Sequence, residues 1–247
     1  MPDRTPHDAD QLSLEDFERE ILVRQLTPAD FDRLIEMQQL CFPGMQPWSK
    51  EQLESQIKLF PEGQLVVEFE GQVVASAASL IVDFEDYSQW HDWKEIAGGG
   101  YIRNHDPEGD TLYGIEVMVH PDYRGLKLAR RLYEARRELA RRFNLARSIV
   151  GGRLPNYHKH ADTLSAREYV EKVRDGQLYD PVLTTQTANG FVLKMLIPNY
   201  LPSDKESCGY ATFLEWRNLE YRRTEGHHGQ LRLYRNVRAA VAQWRMR

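Results

Sequence analysis

The sequence predicts an α/β (α+β) fold, in which helices flank both faces of a mixed sheet. Two β-rich runs at 64–70 and 72–82 are separated only by Gly71, which is typical of an antiparallel hairpin. Further along, a strand at 112–120 leads through a tight turn into a strongly patterned helix from about 126 to 143. With the strands and helices that follow, this order of elements gives the mixed sheet.

The N-terminal part supplies a strand and two helices. Residues 21–26 alternate weakly and predict the strand. Thr27 and Pro28 provide an N-cap and a first helical residue, followed by the apolar stripe of a helix. Ser49 caps a second helix, and Gln52 three residues later completes a capping box.

The connection at 83–110 is long, acidic and aromatic. Residues 83–109 hold seven acids and two bases, together with two tyrosines and two tryptophans. A connection of this length is usually functional or disordered. The glycine run at 98–100 predicts a flexible point within it.

The C-terminal part continues the alternation of strands and helices. A strand is predicted at 147–152, a helix at 165–175 and a shorter helix that begins at Pro181. Strands at 191–197 and 210–217 flank a turn-rich segment, so we expect them to pair antiparallel.

Composition excludes several classes of protein. The chain has 247 residues, 41% of them hydrophobic and 28% charged, with a net charge of -5. No run approaches the ~18 apolar residues of a transmembrane helix, so no membrane partner is expected. The first residues lack the features of a signal peptide, and two cysteines exclude a disulfide scaffold, so we expect a cytoplasmic protein. The acidity and the lack of a base-reading motif disfavour a nucleic-acid binder.

The distribution of charge suggests three parts. Residues 1–20 hold seven acids and two arginines and predict an acidic N-terminal arm. Residues 21–217 carry the regular elements, and 218–247 form a basic C-terminal extension. An exposed strand at 237–243 would be a liability as a sheet edge. We therefore expect it to pair within the fold, to swap to a partner in a homo-oligomer, or to be disordered.

The strand, turn and helix at 114–140 carry the chemistry. The strand stops at Pro121, and a tight turn at Arg124-Gly125 feeds directly into the helix. Such a turn points backbone N–H groups outward at a helix N-terminus, where the helix dipole favours an anion such as phosphate. Further positive charge surrounds the turn on Lys127, Arg130 and Arg131.

This segment resembles the signature of the GNAT superfamily of acyl-CoA N-acyltransferases. The stretch VHPDYR at 119–124 matches the end of the family's motif strand, and GLKLA at 125–129 matches its glycine-rich turn. Lys127 stands where the family usually has its middle glycine, and a lysine fits there if the backbone stays right-handed. Asn156 and the Asn-Gly-Phe step at 189–191 match two further family positions.

The resemblance covers roughly 21–216 and implies a GNAT-like fold: a mixed, mostly antiparallel sheet with a splayed central parallel strand pair. It implies acetyl-CoA as cosubstrate and no metal, with pantetheine in the splayed gap and pyrophosphate on the turn. The glycines at 151–152 are expected to let the ligand approach the neighbouring strand closely. The implied cofactor-binding residues are Val117, Met118, Val119, Arg124, Gly125, Leu126, Lys127, Leu128, Ala129, Arg130 and Asn156.

Amide formation requires two proton transfers, because the amine loses a proton and the leaving thiolate gains one. Glu116 on the motif strand is the candidate base, and a solvated or salt-bridged glutamate is the other interpretation. Gln186 stands where the family often places the tyrosine that protonates the thiolate. Tyr169 is therefore the candidate acid, ahead of Tyr179, and both also suit a packing role.

The acceptor is expected to be an amine, and the acidic, aromatic connection would attract a cationic one. The stretch FPGMQPWS at 42–49 resembles the acceptor-side F-P-W-S segment of protein N-terminal acetyltransferases, with three residues inserted. His158 and His160 lack the further ligands of a metal site, so none is expected. Cys208 is interpreted as a small buried thiol.

A closer resemblance concerns the stretch 155–181, which is similar to bacterial GNAT modules fused ahead of a nitrilase-superfamily carbon–nitrogen hydrolase. The tail at 237–243 reads like the opening strand of such a hydrolase. Two functions stay open: an acetyl-CoA-dependent N-acetyltransferase, or a non-catalytic acyl-CoA- or peptide-binding module that regulates a hydrolase. Thiol release from acetyl-CoA with a panel of amines separates them.

Overall fold

The computed structural model describes residues 21–88 and 91–223, and a seven-stranded sheet lies at their centre. The strands are β1 (Leu22–Gln25), β2 (Gln64–Phe69), β3 (Gln72–Val82), β4 (Thr111–Val119), β5 (Arg147–Arg153), β6 (Val192–Ile197) and β7 (Ala211–Arg217). Their order in the sheet is β1-β2-β3-β4-β5-β7-β6. All neighbours pair antiparallel except β4 and β5, which run parallel. The predicted mixed, mostly antiparallel sheet with a central parallel pair is confirmed.

Helices cover both faces of this sheet. They are α1 (Phe31–Cys41), α2 (Lys50–Leu59), the one-turn helices α3 (Phe84–Tyr87) and α4 (Trp93–Ile96), α5 (Leu128–Arg142), α6 (Ala166–Arg174) and α7 (Pro181–Ala188). Val73 on β3 packs in the cluster that holds Leu34 of α1, whereas Val74 packs with Leu128 of α5. Successive strand residues face opposite sides, so α1 and α5 lie on opposite faces.

Local sequence signals explain how several of these elements begin and end. Glu70 and Gly71 form the turn between β2 and β3 with positive φ of 49° and 73°, as a two-residue hairpin turn of type I′ requires. The capping box of α2 is present: Gln52 N donates to Ser49 Oγ at 3.2 Å, and Ser49 N donates to Gln52 Oε1 at 2.7 Å.

The connection between β3 and β4 is more regular than the sequence predicts. Besides α3 and α4 it contains a 3₁₀ turn at Gly98–Gly100. The flexible point expected at this glycine run is instead a turn held by two side chains of α2. Gln52 Nε2 donates to Gly99 O and Gln56 Nε2 donates to Gly100 O, both at 2.8 Å. Positive φ at all three glycines explains why glycine is needed there.

The predicted acidic arm at 1–20 and the strand at 237–243 lie outside the described residues. The proposed three-part division of the chain therefore stays a prediction. Across 21–88 and 91–223, no helix is long and apolar enough to span a bilayer.

Candidate functional site

The central parallel strand pair separates after one short paired stretch. Thr111–Gly114 of β4 pair with Arg147–Val150 of β5, and Gly114 opposite Val150 is the last pair. Beyond it, β4 pairs with β3 alone, so its other backbone edge faces a gap. We call this gap between Ile115–Val119 and the end of β5 the fork. A bulge accompanies it, because Ala78 pairs with Glu116 but Ser79 pairs with Gly114, which leaves Ile115 as the extra residue.

The turn that follows β4 presents a row of unused backbone donors. The first bond of α5 runs from Arg131 N to Lys127 O at 3.3 Å. The N–H groups of residues 125–130 have no acceptor within the described chain. Together with the helix dipole, such a row forms an anion site. Four exposed cationic side chains surround it, those of Arg124, Lys127, Arg130 and Arg131.

Lys127 corrects one expectation about this turn. A lysine was expected to fit here if its backbone stayed right-handed, but the backbone is left-handed, with φ 58° and ψ 21°, at the N-cap of α5. Gly125 also has positive φ, at 88°. These two left-handed residues turn the chain sharply from the end of β4 into the helix. Lysine therefore occupies a glycine-type conformation and bears its strain.

Glu116 projects from β4 beside the bulge and is half-buried. Gln38 Nε2 donates to Glu116 Oε2 at 2.5 Å, and Ser76 Oγ donates to Oε1 at 2.9 Å. Burial raises the pKa of the carboxyl group, although these hydrogen bonds oppose the shift. Glu116 is therefore not freely solvated, and it forms no salt bridge with any residue of 21–88 or 91–223. Its raised pKa makes it a stronger base than an ordinary glutamate.

Two tryptophans line the surroundings of Glu116. Trp48 N donates to Gln38 Oε1 at 2.8 Å, which fixes the orientation of the amide that binds Glu116. Trp93 Nε1 donates to Ile115 O at 3.1 Å, and its ring meets that of Trp48 edge-on with centroids 6.0 Å apart. The 42–49 segment and the acidic connection thus meet at the same point of β4.

Residues 31–161 match the profile of the acetyltransferase (GNAT) family. The chain belongs to this family. The splayed strand pair, the donor-rich turn and the helix behind it are the parts of the GNAT fold described above. The chain is accordingly an acyltransferase.

Two curated proteins of Bacillus subtilis (strain 168) are similar to this GNAT domain. One, named "Probable hydrolase YhcX", is 51% identical over 213 residues, which cover 86% of this chain and 42% of that protein. The other, "Uncharacterized N-acetyltransferase YkwB", is 40% identical over 207 residues, which cover 82% of this chain and 91% of that protein. The chain thus spans less than half of the first relative and most of the second.

Solved structures share the fold. The GphF GNAT-like decarboxylase in complex with isobutyryl-CoA superposes with a TM-score of 0.68 at 24% identity, covering 79% of this chain and 98% of that one. The loading GNATL domain of CurA from Lyngbya majuscula superposes with a TM-score of 0.69 at 20% identity, covering 80% and 97%. At these identities the likeness concerns the fold alone.

The remaining residues expected to bind the cofactor lie along the fork and behind it. Met118 is buried, whereas Val117 and Val119 are half-buried and pack with the cluster that contains Leu128. Asn156 follows β5, and its side chain is already engaged. Its Nδ2 donates to Tyr179 O at 3.2 Å, and Lys159 Nζ donates to its Oδ1 at 2.8 Å.

Tyr169, the candidate acid, is fully buried in α6. Its hydroxyl donates to Asp180 Oδ2 at 2.9 Å, and burial together with the Asp180 charge raises its pKa. Asp180 also caps α7 by accepting from the N–H groups of Val182 and Leu183, both at 3.0 Å. This network gives Tyr169 a clear structural role, and its catalytic role stays a prediction.

The two glycines of β5 do not leave room for a ligand as expected. A Cβ on Gly151 would lie 2.3 Å from Tyr200 Oη, and one on Gly152 would lie 2.2 Å from Gln186 Oε1. Side chains of the protein itself therefore fill the space above both glycines. Glycine is needed here for packing against Tyr200 and Gln186.

The structure adds site residues that sequence reasoning missed. Gln38 lies four residues after buried Leu34, so a polar residue in an apolar stripe was the available signal. Ser76, inside a buried strand, carried no comparable signal. Cys208 is exposed, not buried as expected. Among residues 21–88 and 91–223, no group of three or more His, Cys, Asp or Glu could hold a metal ion.

Proposed function

We propose that this chain is an acetyl-CoA-dependent N-acetyltransferase, which moves an acetyl group to an amine by direct attack in a ternary complex. One observation carries the proposal: the fork ends at a row of unused N–H groups ringed by four cationic side chains. This arrangement suits a ligand with an anionic head and a thin, amide-bearing arm. The N-acetyltransferase name of the 40% identical relative supports the choice of reaction.

In this proposal the cofactor follows the fork outward. The pyrophosphate lies on the turn at 124–130, where backbone donors and the side chains of Arg124, Lys127 and Arg130 neutralise it. The pantetheine amides bond the backbone of Val117–Val119 on the edge of β4 that no described strand covers, and Asn156 contacts the arm from the far side. No metal takes part.

Glu116 acts as the base. The amine nitrogen loses a proton to Glu116 and bonds the thioester carbon, the carbon–sulfur bond breaks, and the sulfur takes a proton from an acid. Tyr169 is the candidate for that acid. The raised pKa of Glu116 brings its basicity nearer to neutral pH, where general bases are most effective.

The amine approaches from the side of the acidic connection, where Trp93 and Trp48 flank β4. We propose that a cationic amine is preferred, such as a polyamine, a basic amino acid or a peptide amine. Three of the seven acidic side chains accept hydrogen bonds from backbone N–H groups two or three residues further along the chain. They belong to Asp83, Asp92 and Asp106. Their charge still adds to the field that a cation meets.

The assignment of the turn is tested by Gly125→Pro. Proline fixes φ near -65° and removes an N–H, whereas Gly125 has φ 88°. We expect acetyl-CoA binding, measured by calorimetry, to be lost. The matched control is Gly176→Pro at φ 72°, which follows α6 and not the turn, and which should leave affinity unchanged in the folded protein. Unchanged affinity in Gly125→Pro would overturn the assignment.

A second proposal concerns the wider protein context. The 51% identical relative is named a hydrolase and is more than twice as long as the matched region. We propose that such GNAT domains accompany a carbon–nitrogen hydrolase in longer proteins, and that this chain works in the cytoplasm, where Cys41 and Cys208 remain free thiols.

A further inference from the structure

The end of α1 lies across the open end of the fork. Cys41, the last residue of α1, contacts the β4 arm, because its Sγ donates to Val119 O at 3.3 Å. Phe42, the next residue, lies against the other arm, because the guanidinium carbon of Arg153 is 5.4 Å from the centroid of its ring. Arg153 is the last residue of β5. Two adjacent residues thus contact both separated strands, and we call Cys41 and Phe42 the bridge.

Two carboxylates fix the guanidinium of Arg153. Its Nε and Nη2 each donate to one oxygen of Asp204 at 2.6 Å, and Nη2 also donates to Glu206 Oε2 at 2.9 Å. Both acids belong to the segment between β6 and β7, and Asp204 is buried. Such a bidentate pair fixes the plane of a guanidinium, which a lysine ammonium cannot reproduce. Arg153 therefore presents one fixed cationic face to Phe42, as a cation–π contact requires.

The bridge lies on the same side of the sheet as Glu116. Gln38, which donates to Glu116 Oε2, is one turn before the bridge in α1. The acidic connection is joined to the segment between β6 and β7, because Trp93 N donates to Tyr200 O at 2.8 Å. With the contact between the two tryptophans described above, three segments therefore surround Glu116. Arg153 is the residue of β5 that links the end of α1 to the segment between β6 and β7.

We propose that Arg153 is a positioning residue for the acceptor: it holds the bridge across the fork, and the bridge is the wall that keeps the amine beside Glu116. One positive and two negative charges meet at Arg153, Asp204 and Glu206, so this wall does not repel a cationic amine. The hydrogen bonds of Arg153 within 21–88 and 91–223 go to these two acids, so a change at Arg153 leaves the base and the anion-binding turn intact. The inference rests on the proposed function, in which the amine enters on this side.

The first measurement needs no acceptor. The chain has two cysteines: Cys41, half-buried in the bridge, and Cys208, which is exposed. Alkylation of each thiol by iodoacetamide is followed by mass spectrometry. Loss of a cation–π contact predicts that Arg153→Lys and Phe42→Leu each speed alkylation of Cys41 by about three- to thirtyfold. Phe42→Tyr keeps the ring and should keep the original rate. Unchanged alkylation of Cys41 in folded Arg153→Lys and Phe42→Leu would overturn the inference.

The second measurement separates the acceptor from the donor. Thiol release from acetyl-CoA is measured with spermidine, with L-lysinamide and with a short peptide that has a free N-terminus. For the amine that reacts fastest, Arg153→Lys should raise KM at least about threefold, while kcat and the affinity for acetyl-CoA change less than about twofold. Unchanged KM, or a fall in kcat alone, would contradict a role in positioning the acceptor.

The matched control lies at the other end of β5. Arg147 also lies over a phenylalanine, with its guanidinium carbon 3.9 Å from the ring centroid of Phe84, and it pairs with Asp110 at 3.5 Å. Arg147→Lys should change neither the alkylation of Cys41 nor KM.

Two outcomes need a separate decision. If Arg153→Lys does not fold, because buried Asp204 loses its partner, Phe42→Leu decides alone, since it leaves that ion pair in place; in this variant alkylation of Cys208 serves as the internal reference. If no amine reacts, the proposed function fails and the role of Arg153 toward the acceptor fails with it. The alkylation rates then still show whether Arg153 holds the bridge.

Discussion

Lys127 tests the geometry of the turn through its strained backbone. A side chain with a Cβ in the left-handed region costs about 1–2 kcal/mol, and glycine avoids that cost. Glycine in turn loses about 0.5–1 kcal/mol through its greater freedom in the unfolded chain. With φ at 58° and ψ at 21°, Lys127→Gly is therefore expected to stabilise the protein by up to about 1 kcal/mol. In a chain of this size, that raises Tm by about 2–4 °C.

The assay is urea unfolding followed by circular dichroism, with Lys127→Ala as the matched control. Alanine removes the same charge and keeps the backbone strain, so it should gain no stability. The difference between the two variants isolates the strain, while both should weaken CoA binding equally because both lose one exposed cation. If Lys127→Gly is no more stable than Lys127→Ala, the left-handed conformation at the N-cap of α5 is refuted.

Three further predictions concern packing, the acid and the acceptor. Gly114→Ala should destabilise the protein by about 1–3 kcal/mol in urea unfolding, because its Cβ would lie 2.6 Å from Arg136 Nη1; unchanged stability would contradict that contact. Tyr169→Phe removes the hydrogen bond to Asp180 and should lower the free energy of unfolding by about 1–3 kcal/mol. It should also lower kcat if the hydroxyl is the acid, and an unchanged kcat in the folded variant would reject that role. For a cationic amine, kcat/KM should fall as the salt concentration rises, since exposed charges are screened over about 10 Å at 0.1 M. Equal rates for cationic and neutral amines at low and high salt would show that the acidic connection is not part of the acceptor site.

Much of the fold followed from local sequence signals. Gly71 between two β-rich runs predicted the hairpin, and Ser49 with Gln52 predicted the start of α2, because each depends on backbone conformations set by neighbouring residues. The strand that ends at Pro121 and enters α5 likewise defined the anion-binding turn.

The parts that sequence could not supply depend on distant contacts. Gln38 reaches Glu116 across 78 positions, and no local pattern encodes such a pair. The sequence predicted that a ligand could approach Gly152 closely, but Gln186 packs against it. No signal near Arg136 in the sequence marks it as buried, because the bulge that accepts its hydrogen bonds is formed by β3 and β4.

Glu116→Gln tests the central claim that this site transfers an acyl group with Glu116 as base. Glutamine keeps the shape, since its oxygen can accept from Gln38 and its amide can donate to Ser76. Because the folded-state pKa of Glu116 is raised, the charged carboxylate costs stability above that pKa, and stability grows as pH falls through it. The variant should therefore be at least as stable at pH 7.

The measurement is thiol release from an acyl-CoA donor in the presence of an amine, for the unaltered chain and for Glu116→Gln, with CoA affinity measured in parallel. We expect kcat to fall by about 10²–10⁴-fold, which is typical of losing a general base, while CoA affinity and stability are retained. Unchanged thiol release in the folded, CoA-binding variant would contradict it.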